Sequence, residues 1–536
     1  MISALAWVRK GVAAEKPTKY EMTEEEYARL QQVADDEIKE AKREIKKKSK
    51  IDASILNDPA LKDFNLEDYD DSEPESDQQE AEPRVNVFSN IKGLSYYQDE
   101  DDDPYLKKTN DDDDDEEDEE LRIFKSDNML LVAKTEDDIS NLEACVFEAD
   151  GDNLFVHHDF MLPAFPLAIE WMDYRVGRKA DEPGAGNYVA VATFEPRIEI
   201  WDLDTIDSAY PDAILGSNDK KKLRKSRGKP NPAFHTDAIM GLSWNTNVRN
   251  LLASSSADTT VKLWDLNTAT CAQSYTHHTS KVQAVKWHPT EASVLLTGGY
   301  DHKVAAFDSR APGAVSWWSV GADVESVMWD VHSPSHFFVA TEDGVVRYYD
   351  VRNVQGGKAG GDPVYTLVAH AEALSAMDQH PNVPGLLVTG SADETVKVWD
   401  VRENKPSMVI SRNPDVGSVF AVRFCPDEPM LVAVGGSSGE SRIWDLASNA
   451  QIRAVFGGAD TQAAVVKEKP MVSIAADDDA DADEDDTHEA VIAEMYGEDP
   501  AAAKAAEEND DSDDDSDDGS DNGSGDDSDA SMASDN

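Results

Sequence analysis

The chain has 536 residues, of which 40% are hydrophobic, and a formal net charge of -59 at pH 7. No apolar run approaches the roughly 18 residues that a membrane-spanning helix needs, and residues 1–14 lack the long apolar stretch of a signal peptide. The cysteines Cys145, Cys271 and Cys425 have neither zinc-ligand nor disulfide-framework spacing. We therefore expect no membrane span, no signal peptide and a reducing compartment.

The negative charge is concentrated in two segments. Residues 66–120 carry 24 acidic and 4 basic residues, and residues 477–536 carry 26 acidic residues and 1 basic residue. Segments this acidic repel themselves and cannot bury enough apolar surface to fold alone. The sequence therefore predicts an N-terminal arm (1–65), an acidic disordered linker with short docking motifs (66–120), a folded core (121–470) and an acidic disordered C-terminal tail (471–536).

The N-terminal arm is predicted to contain one amphipathic helix over residues 23–48. Thr23 and Glu26 have capping-box spacing, and apolar residues then recur at intervals of three and four. Either the folded core or another protein would cover this apolar stripe. The candidates for docking on partners in the arm and the linker are Trp7, Val8, Tyr27, Leu30, Ile38, Phe64, Leu66, Tyr69, Tyr96, Tyr97 and Tyr105.

An aromatic residue followed by aspartate recurs through the core, at Trp201, Trp264, Phe307, Tyr349, Trp399 and Trp444. After the first interval, which holds a lysine-rich insertion, the intervals are 42 to 50 residues, near the period of about 40–45 expected for four-stranded propeller blades. The unit ending at Trp264 shows four strand-like runs, at 239–244, 251–256, 260–264 and 271–275. A degenerate unit upstream, in 129–157, brings the count to seven. The sequence predicts an all-β fold, a single seven-bladed WD-repeat β-propeller.

An aspartate stands six residues before the aromatic residue in four units, in the predicted turn between the second and third strands. A carboxylate there can accept backbone N–H bonds and order the turn. In WD-repeat proteins it joins a hydrogen-bonded set with a histidine, a serine or threonine, and the tryptophan. We predict structural, non-catalytic roles for His235, Ser256, Asp258, Trp264, Asp301, Asp343, Asp393 and Trp399. The units with Phe307 and with Ser438 at the aspartate position should be held less tightly.

One dense basic run occupies the insertion: Lys220, Lys221, Lys222, Arg224, Lys225, Arg227 and Lys229. It falls between the last strand of one blade and the first strand of the next, so we expect a long loop on the rim of the propeller. Such runs serve as nuclear localisation signals or contact RNA phosphates. These two interpretations are compatible, and a solvated loop without a partner is the third.

The remaining motifs are less specific. Asp-x-Arg at 308–310, 350–352 and 400–402 is similar to an element of cullin ubiquitin ligase receptors, but it is common in propellers. The histidine pairs at 157–158 and 277–278 lack further ligands at metal spacing. We find no phosphate-binding loop, nucleophile elbow or acid–base pair, and we expect no metal, cofactor, small-molecule substrate or enzymatic activity. Ser512, Ser516 and Ser528, set among acids, resemble sites of acidophilic kinases.

Several stretches outside the repeats resemble the periodic tryptophan protein 1 family. They are residues 1–4, 7–8, 11–12, 17, 19–20, 65–71, 103–105, 130–138, 156–159 and 162–167. These stretches are far more specific than Trp-Asp repeats, and the resemblance covers nearly the whole chain apart from the acidic runs and insertions.

The resemblance implies a nuclear and nucleolar factor that acts in assembly of the large ribosomal subunit. Its partners would be the pre-60S particle, ribosome assembly factors, ribosomal proteins and the rRNA precursor, with no membrane involved. The rival interpretation is a histone- or chromatin-binding WD-repeat protein acting at rDNA, whose acidic tails would shield basic histone segments. A ubiquitin ligase receptor is a more distant alternative. Fold alone does not decide among them.

Overall fold

Short runs rich in valine, isoleucine and aromatic residues form strands, as their β propensity predicts. The computed structural model describes residues 1–20 and 121–474 apart from 138, 150, 180–183, 218–221, 223–225, 227–228, 354–360, 429 and 458–468. The described residues all belong to one compact unit, Met1–Ile474. The predicted helix over 23–48, the acidic linker, and residues 475–536 of the acidic tail lie outside them.

Thirty strands lie within the described ranges. The first fifteen are β1 (Ile2–Val8), β2 (Thr18–Lys19), β3 (Asn128–Glu136), β4 (Ile139–Glu148), β5 (Asn153–Leu162), β6 (Pro166–Met172), β7 (Tyr188–Thr193), β8 (Arg197–Asp202), β9 (Thr205–Ile206), β10 (Ala213–Gly216), β11 (Ile239–Trp244), β12 (Leu251–Ser256), β13 (Val261–Asp265), β14 (Thr270–Tyr275) and β15 (Val282–Trp287). The others are β16 (Val294–Gly299), β17 (Lys303–Asp308), β18 (Val315–Ser319), β19 (Val324–Trp329), β20 (His336–Thr341), β21 (Val345–Asp350), β22 (Tyr365–Val368), β23 (Leu374–Gln379), β24 (Leu386–Ser391), β25 (Val396–Asp400), β26 (Ser407–Arg412), β27 (Val419–Phe424), β28 (Leu431–Gly436), β29 (Ser441–Asp445) and β30 (Val472–Ser473).

All of these strands except β2 and β9, which pair with each other, form seven four-stranded antiparallel sheets, and these are the seven predicted blades. From the inner to the outer strand they are blade 1 (β1-β3-β4-β5), blade 2 (β6-β7-β8-β10), blade 3 (β11-β12-β13-β14), blade 4 (β15-β16-β17-β18), blade 5 (β19-β20-β21-β22), blade 6 (β23-β24-β25-β26) and blade 7 (β27-β28-β29-β30). The seven-bladed WD-repeat propeller is therefore confirmed, and the strands of blade 3 begin and end within one residue of the predicted runs.

Ring closure differs from the prediction. The inner strand of blade 1 is β1, which pairs with β3 across more than 100 intervening residues. It contacts the inner strands of both neighbouring blades, β6 and β27. The predicted separation of an N-terminal arm (1–65) from a folded core (121–470) was therefore wrong for residues 1–20. The acidic tail was predicted to begin at residue 471, but β30 (Val472–Ser473) pairs with β29 and forms the outer strand of blade 7.

Apolar side chains of neighbouring blades pack together to form the core. Trp244, Trp287, Trp329 and Phe424 are buried at the ends of inner strands, where large aromatic side chains fill the space between blades. The second-to-third-strand turn of each blade and the connection to the next blade lie at one end of the blades, here called the upper face. The opposite end is the lower face.

One short α-helix, α1 (Ala450–Phe456), lies between β29 and β30. The Asn449 side chain accepts from the backbone N–H of Gln451 and Ile452, as an N-cap does. Ile452 is buried in the apolar core of blades 6 and 7. Four 3₁₀ turns are also found in the described ranges, at Gly177–Lys179, Val351–Asn353, Arg402–Asn404 and Leu446–Ser448. No helix among the described residues has the length and apolarity to cross a membrane.

Candidate interaction surfaces

Blade 3 contains a chain of four hydrogen-bonded side chains that reaches from the upper face to the core. Asp258 Oδ2 lies 3.0 Å from His235 Nδ1, and His235 Nε2 lies 2.7 Å from Ser254 Oγ. Trp264 Nε1 donates to the same hydroxyl at 2.8 Å. Blade 6 repeats the arrangement with Asp393, His370, Thr389 and Trp399.

Burial lowers the pKa of His235, which favours the neutral ring. Burial alone would raise the pKa of Asp258, but its hydrogen bond to His235 and further donors hold that pKa below its usual range. A neutral histidine therefore lies beside an ionised carboxylate. The side chains of this set are hydrogen-bonded to one another, and His235, Ser254 and Trp264 are buried, so the arrangement stabilises the fold.

The serine in this chain is Ser254, and the predicted Ser256 was the wrong choice. Ser256 Oγ donates to Ala238 O at 2.8 Å and accepts from Asp258 N at 3.1 Å. Ser256 therefore orders the turn without touching the indole. The two serines lie two residues apart on one face of β12, and only the folded geometry shows which of them Trp264 reaches.

Blades 4 and 5 carry reduced versions of the network. In blade 4, His278 bridges Asp301 and Thr297 at 3.0 and 2.9 Å, and Phe307 stands where a tryptophan would donate. In blade 5, Arg347 Nη2 donates to Asp343 Oδ2 at 2.8 Å. An arginine on the third strand thus replaces the histidine.

In blades 2 and 7, side chains other than an aspartate and a histidine order the turn between the second and third strands. In blade 2, Arg197 bridges Glu195 and Glu199, at 2.8 and 3.2 Å. In blade 7, the Ser438 hydroxyl accepts from Glu440 N at 3.2 Å, while the buried Trp444 Nε1 donates no hydrogen bond to any described residue. These blades flank blade 1 and adjoin the N-terminal strand.

The N-terminal segment (residues 1–20) fastens blades 7, 1 and 2 together. Trp7 Nε1 donates to Arg423 O in blade 7 at 3.1 Å, and Lys10 N donates to Asp427 Oδ2 at 2.8 Å. On the lower face of blade 2, Ala14 N donates to Asp204 Oδ1 at 2.9 Å, and β2 pairs in parallel with β9.

Trp7 and Val8 were predicted to dock on a partner, and this prediction was wrong. Their exposed fractions are 7% and 2%. Trp7 packs with residues of blade 7, and Val8 packs with residues of blades 1 and 2. The other predicted docking residues, Tyr27, Leu30, Ile38, Phe64, Leu66, Tyr69, Tyr96, Tyr97 and Tyr105, lie outside the described residues, as do Ser512, Ser516 and Ser528.

The centre of the ring contains a channel of about 320 Å³, lined by all seven inner strands. Its charged side chains interact with neighbouring blades. Glu170 accepts from Trp244 N at 3.1 Å and lies 3.7 Å from Lys286 Nζ, while Tyr300 donates to Glu325 at 3.0 Å. The described channel walls thus link blades to one another.

The basic run belongs to the connection between β10 and β11, on the upper face. Of its basic residues the structure describes Lys222 and Lys229, both exposed, whereas Lys220, Lys221, Arg224, Lys225 and Arg227 lie outside the described residues. The end of the connection is fixed by the fully buried Lys262, whose Nζ donates to Asn231 O at 2.5 Å and to Ser274 Oγ at 2.6 Å.

The Asp-x-Arg elements form local ion pairs on the lower face. Arg310, Arg352 and Arg402 each bond the aspartate two residues earlier, at 2.6 to 2.8 Å. The hydrogen bonds from Arg352 lower the pKa of Asp350 to about 2. Arg402 also lies over the Phe456 ring of α1. Each arginine therefore orders its own turn.

The histidine pairs also have structural contacts. His157 Nδ1 lies 2.8 Å from His158 Nδ1, and His278 belongs to the network of blade 4. Within the described ranges, His, Cys, Asp and Glu side chains form no group of three or more that is placed to hold a metal ion.

Comparisons with known proteins match both the fold and the non-repeat sequence. Residues 232–265, 269–308 and 361–400 match the family of WD domains, G-beta repeats. The chain is 39% identical to an uncharacterized WD repeat-containing protein of Schizosaccharomyces pombe, over 88% of this chain and 93% of that protein. It is 35% identical to Periodic tryptophan protein 1 of Saccharomyces cerevisiae, over 85% and 90%. It is 31% identical to the Periodic tryptophan protein 1 homolog of Drosophila melanogaster, over 86% and 97%.

Proposed function

Because this chain belongs to the periodic tryptophan protein 1 family, we propose that it is a non-enzymatic nucleolar assembly factor for the large (60S) ribosomal subunit. The observation that carries this proposal is similarity over most of the chain, well beyond the WD repeats. The propeller would scaffold ribosome assembly factors, ribosomal proteins and the rRNA precursor during its processing. The role follows from what the family resemblance implies.

The described side chains are consistent with a scaffold. The histidines, aspartates and hydroxyls that could have formed a catalytic group are used within blades, as in the set around Trp264. A ring held in this way presents loops on rigid strands, which suits binding surfaces. The basic connection between β10 and β11 would serve in nuclear import, in RNA contact, or in both.

Depletion of the protein tests the proposal in cells. We expect fewer 60S subunits relative to 40S subunits and accumulation of large-subunit rRNA precursors, measured by sucrose gradients and northern blots. Re-expression of the intact chain should restore both. Unchanged subunit ratios and precursor levels after depletion would count decisively against an assembly role.

Affinity purification with and without RNase separates the alternatives. Pre-ribosomal proteins and rRNA support the assembly role. Recovery of histones without rRNA would favour the chromatin alternative, and recovery of cullin components would favour a ubiquitin ligase receptor. Imaging of the tagged protein tests the nucleolar assignment directly.

Alanine replacement of the basic run tests RNA contact. Each phosphate contact to single-stranded RNA contributes about 0.7 to the slope of log affinity against log salt, so the variant should show a flatter slope. A matched control removes the same positive charge from residues 39–50, which also hold seven lysines and arginines. Equal flattening in both variants would assign the effect to net charge rather than to this connection.

A further inference from the structure

Each inner strand places one extra side chain in the central channel. The register of all seven inner strands shifts just after the first residue of the strand, so the blades share a β-bulge at the same position. The residue that each bulge adds lines the channel, close to the upper face, where the inner strands begin. Bulges of this kind re-aim side chains and are frequent beside functional sites. We call this ring of residues the channel mouth: Ser3, Leu167, Met240, Gln283, Glu325, Ser375 and Phe420.

The channel mouth is apolar on one side and polar on the other. Its apolar residues belong to blades 2, 3 and 7, and they are Leu167, Met240 and Phe420. Gln283, Glu325 and Ser375, which can form hydrogen bonds, stand on the consecutive blades 4, 5 and 6. Blades 2 and 3 lie across the ring from blades 5 and 6. A side chain that enters from the upper face therefore meets apolar surface on one wall and polar groups on the opposite wall.

Two aromatic rings extend the apolar side onto the upper face. Phe165 lines the channel, and its ring centroid lies 5.5 Å from that of Phe194. Phe194, in the turn between β7 and β8, is 59% exposed. Because Phe165 precedes Leu167 by two residues and lines the same cavity, the apolar surface is continuous from the channel mouth to the exposed ring of Phe194.

Two acceptors of the channel mouth have capacity that the described residues leave unused. Tyr300 donates to Glu325 Oε1 at 3.0 Å. On the neighbouring inner strand, the buried Gln283 Oε1 accepts no hydrogen bond from any described residue. A buried acceptor without a donor is costly, so this pair of side chains suits a ligand that donates several hydrogen bonds.

The charges nearest to Glu325 are negative. Burial raises the pKa of Glu325 despite the hydrogen bond from Tyr300, and repulsion from Glu342 and Asp323 raises it further. His302 Nδ1 lies 3.1 Å from Asp323 Oδ1, and this histidine adds positive charge only when it is protonated. A cation bound beside Glu325 would relieve the repulsion among these carboxylates.

The cations of the upper face do not neutralise this part of the channel mouth. The Met1 ammonium also lines the channel, but it lies on blade 1, three blades away from Glu325. It donates to Thr135 O at 2.7 Å, and Glu136 is the carboxylate that acts on it most strongly. Lys281 is exposed in the connection that leads to β15, and the three carboxylates of blade 5 outnumber it.

Cations lower in the channel limit how far a positive group can enter. Lys286 follows Gln283 by three residues, which places it about 10 Å deeper along β15. Its Nζ lies 3.7 Å from Glu170. Burial raises the pKa of Asp378, and the positive charge of Arg423 opposes that effect. The lower cations therefore have carboxylates of their own, and a further cation would stay at the level of the channel mouth.

We propose that the channel mouth binds a lysine or arginine side chain presented by an extended segment of another protein. The aliphatic stem of this side chain would lie against Leu167, and its charged end would bond to Glu325 and Gln283. An apolar neighbour in the segment would cover Phe194. The site belongs to the propeller itself, and its test is independent of the assembly role proposed above.

A binding assay with labelled peptides tests the proposal on the full chain. The first probe carries one leucine–lysine pair among glycine and serine residues, and the second has norleucine in place of lysine. Norleucine keeps the aliphatic stem and removes the charge. The acidic runs of the chain attract any cation, so the informative quantity is the difference between variants of the chain. Fluorescence anisotropy of each probe gives its affinity.

The decisive variant is E325Q, which keeps an acceptor for Tyr300 and removes the negative charge. Glu403, in a turn on the lower face with a side chain 82% exposed, provides the matched control E403Q. We expect the lysine probe to bind E325Q at least about tenfold more weakly than E403Q. The norleucine probe should bind both variants equally.

Two further variants test exposed positions around the channel mouth. E342Q should weaken the lysine probe less than E325Q does, because salt screens an exposed charge. F194S should weaken both probes relative to M408S, since Met408 is 55% exposed on blade 6. Unfolding curves establish that each variant is folded, and if E325Q does not fold, the comparison of E342Q with E403Q decides.

Three results would overturn the proposal. The first is equal affinity of the lysine probe for E325Q and E403Q, or no saturable binding of that probe to the intact chain. The second is a large gain in probe affinity on deletion of residues 38–50, which would identify this chain's own basic segment as the occupant. The third is self-association of the intact chain that E325Q abolishes, which would identify a second copy.

Discussion

Blades 3 to 6 are held in place by different contacts from those that hold blades 7, 1 and 2. Blades 3 and 6 carry the complete chain from Asp to His to hydroxyl to Trp, and blades 4 and 5 carry reduced versions of it. The other three are joined by the N-terminal segment, which places β1 between β6 and β27. Local networks hold the first group, and a strand distant in sequence holds the second.

The largest expected effect follows from placing a charge in that strand. Leu5 is 2% exposed and packs with Ala433 and other residues of blade 7. Leu5→Asp should lower the free energy of unfolding by about 3–5 kcal/mol or prevent folding, because an unpaired charge would be buried. Urea unfolding followed by circular dichroism measures the change. Met408→Asp, at an exposed site, should stay close to wild type, and equal losses in both variants would contradict closure by β1.

A smaller change in the free energy of unfolding should distinguish blade 6, whose network includes its tryptophan, from blade 7, whose tryptophan lacks a described partner. Trp399→Phe removes the indole donor to Thr389 and should cost about 1–2 kcal/mol. Trp444→Phe removes an N–H without a described partner and should cost clearly less. The same unfolding experiment compares the two variants, and the reverse order would refute the distinction between the two groups of blades.

The pH dependence should report on the buried histidines. Burial lowers the pKa of His235 and His370 in the folded state, whereas in the unfolded chain it is about 6.5. The unfolded state therefore takes up protons first, and stability is lost as pH falls below about 6.5. Burial would raise the pKa of Asp393, but hydrogen bonds from Thr395 and His370 hold that pKa below its usual range. Protonation of Asp393 therefore causes a further loss of stability below about pH 4.

Comparison of His370→Gln with wild type isolates the histidine contribution. Thermal unfolding at a series of pH values should show a shallower decline for the variant below about pH 6.5. Its stability at neutral pH should be lower, because the bonds to Asp393 and Thr389 are altered. A decline as steep as that of wild type would assign the pH effect to other groups.

The smallest effect is expected from an ion pair of the N-terminal segment. Lys10 Nζ lies 2.7 Å from Glu428, and both side chains are partly exposed. Such pairs contribute about 0–1 kcal/mol, so Lys10→Ala should change the free energy of unfolding by less than about 0.5 kcal/mol. A loss comparable to that of Leu5→Asp would show that polar contacts, rather than strand burial, close the ring.

The repeat predicted much of this architecture because each blade encodes its strands locally. The blade 3 strands, such as Ile239–Trp244, are bounded by turn residues that sequence analysis recognises. The pairing of β1 with β3 leaves no such local signal, since its partners lie far away in sequence. Trp7 and Val8 in a short apolar run were therefore assigned to an external partner, although their partners are β27 and the neighbouring blades.

The hydrogen-bonded set of blade 3 shows a second limit of prediction from the sequence. His235, Asp258 and Trp264 were predicted to act together because they match the hydrogen-bonded set of WD-repeat proteins, and the structure brings them together. Ser254 was missed because Ser254 and Ser256 both satisfy the pattern, and hydrogen-bonding distance decides between them.

The position of β1 has a consequence for biosynthesis. Ile2–Val8 leaves the ribosome before β27, which follows about 410 residues later. At about 5–20 residues per second, that delay is on the order of 20–80 s. During this time Leu5 and Trp7 lack their final neighbours in blade 7, so this apolar strand is open to aggregation until blade 7 has been synthesised.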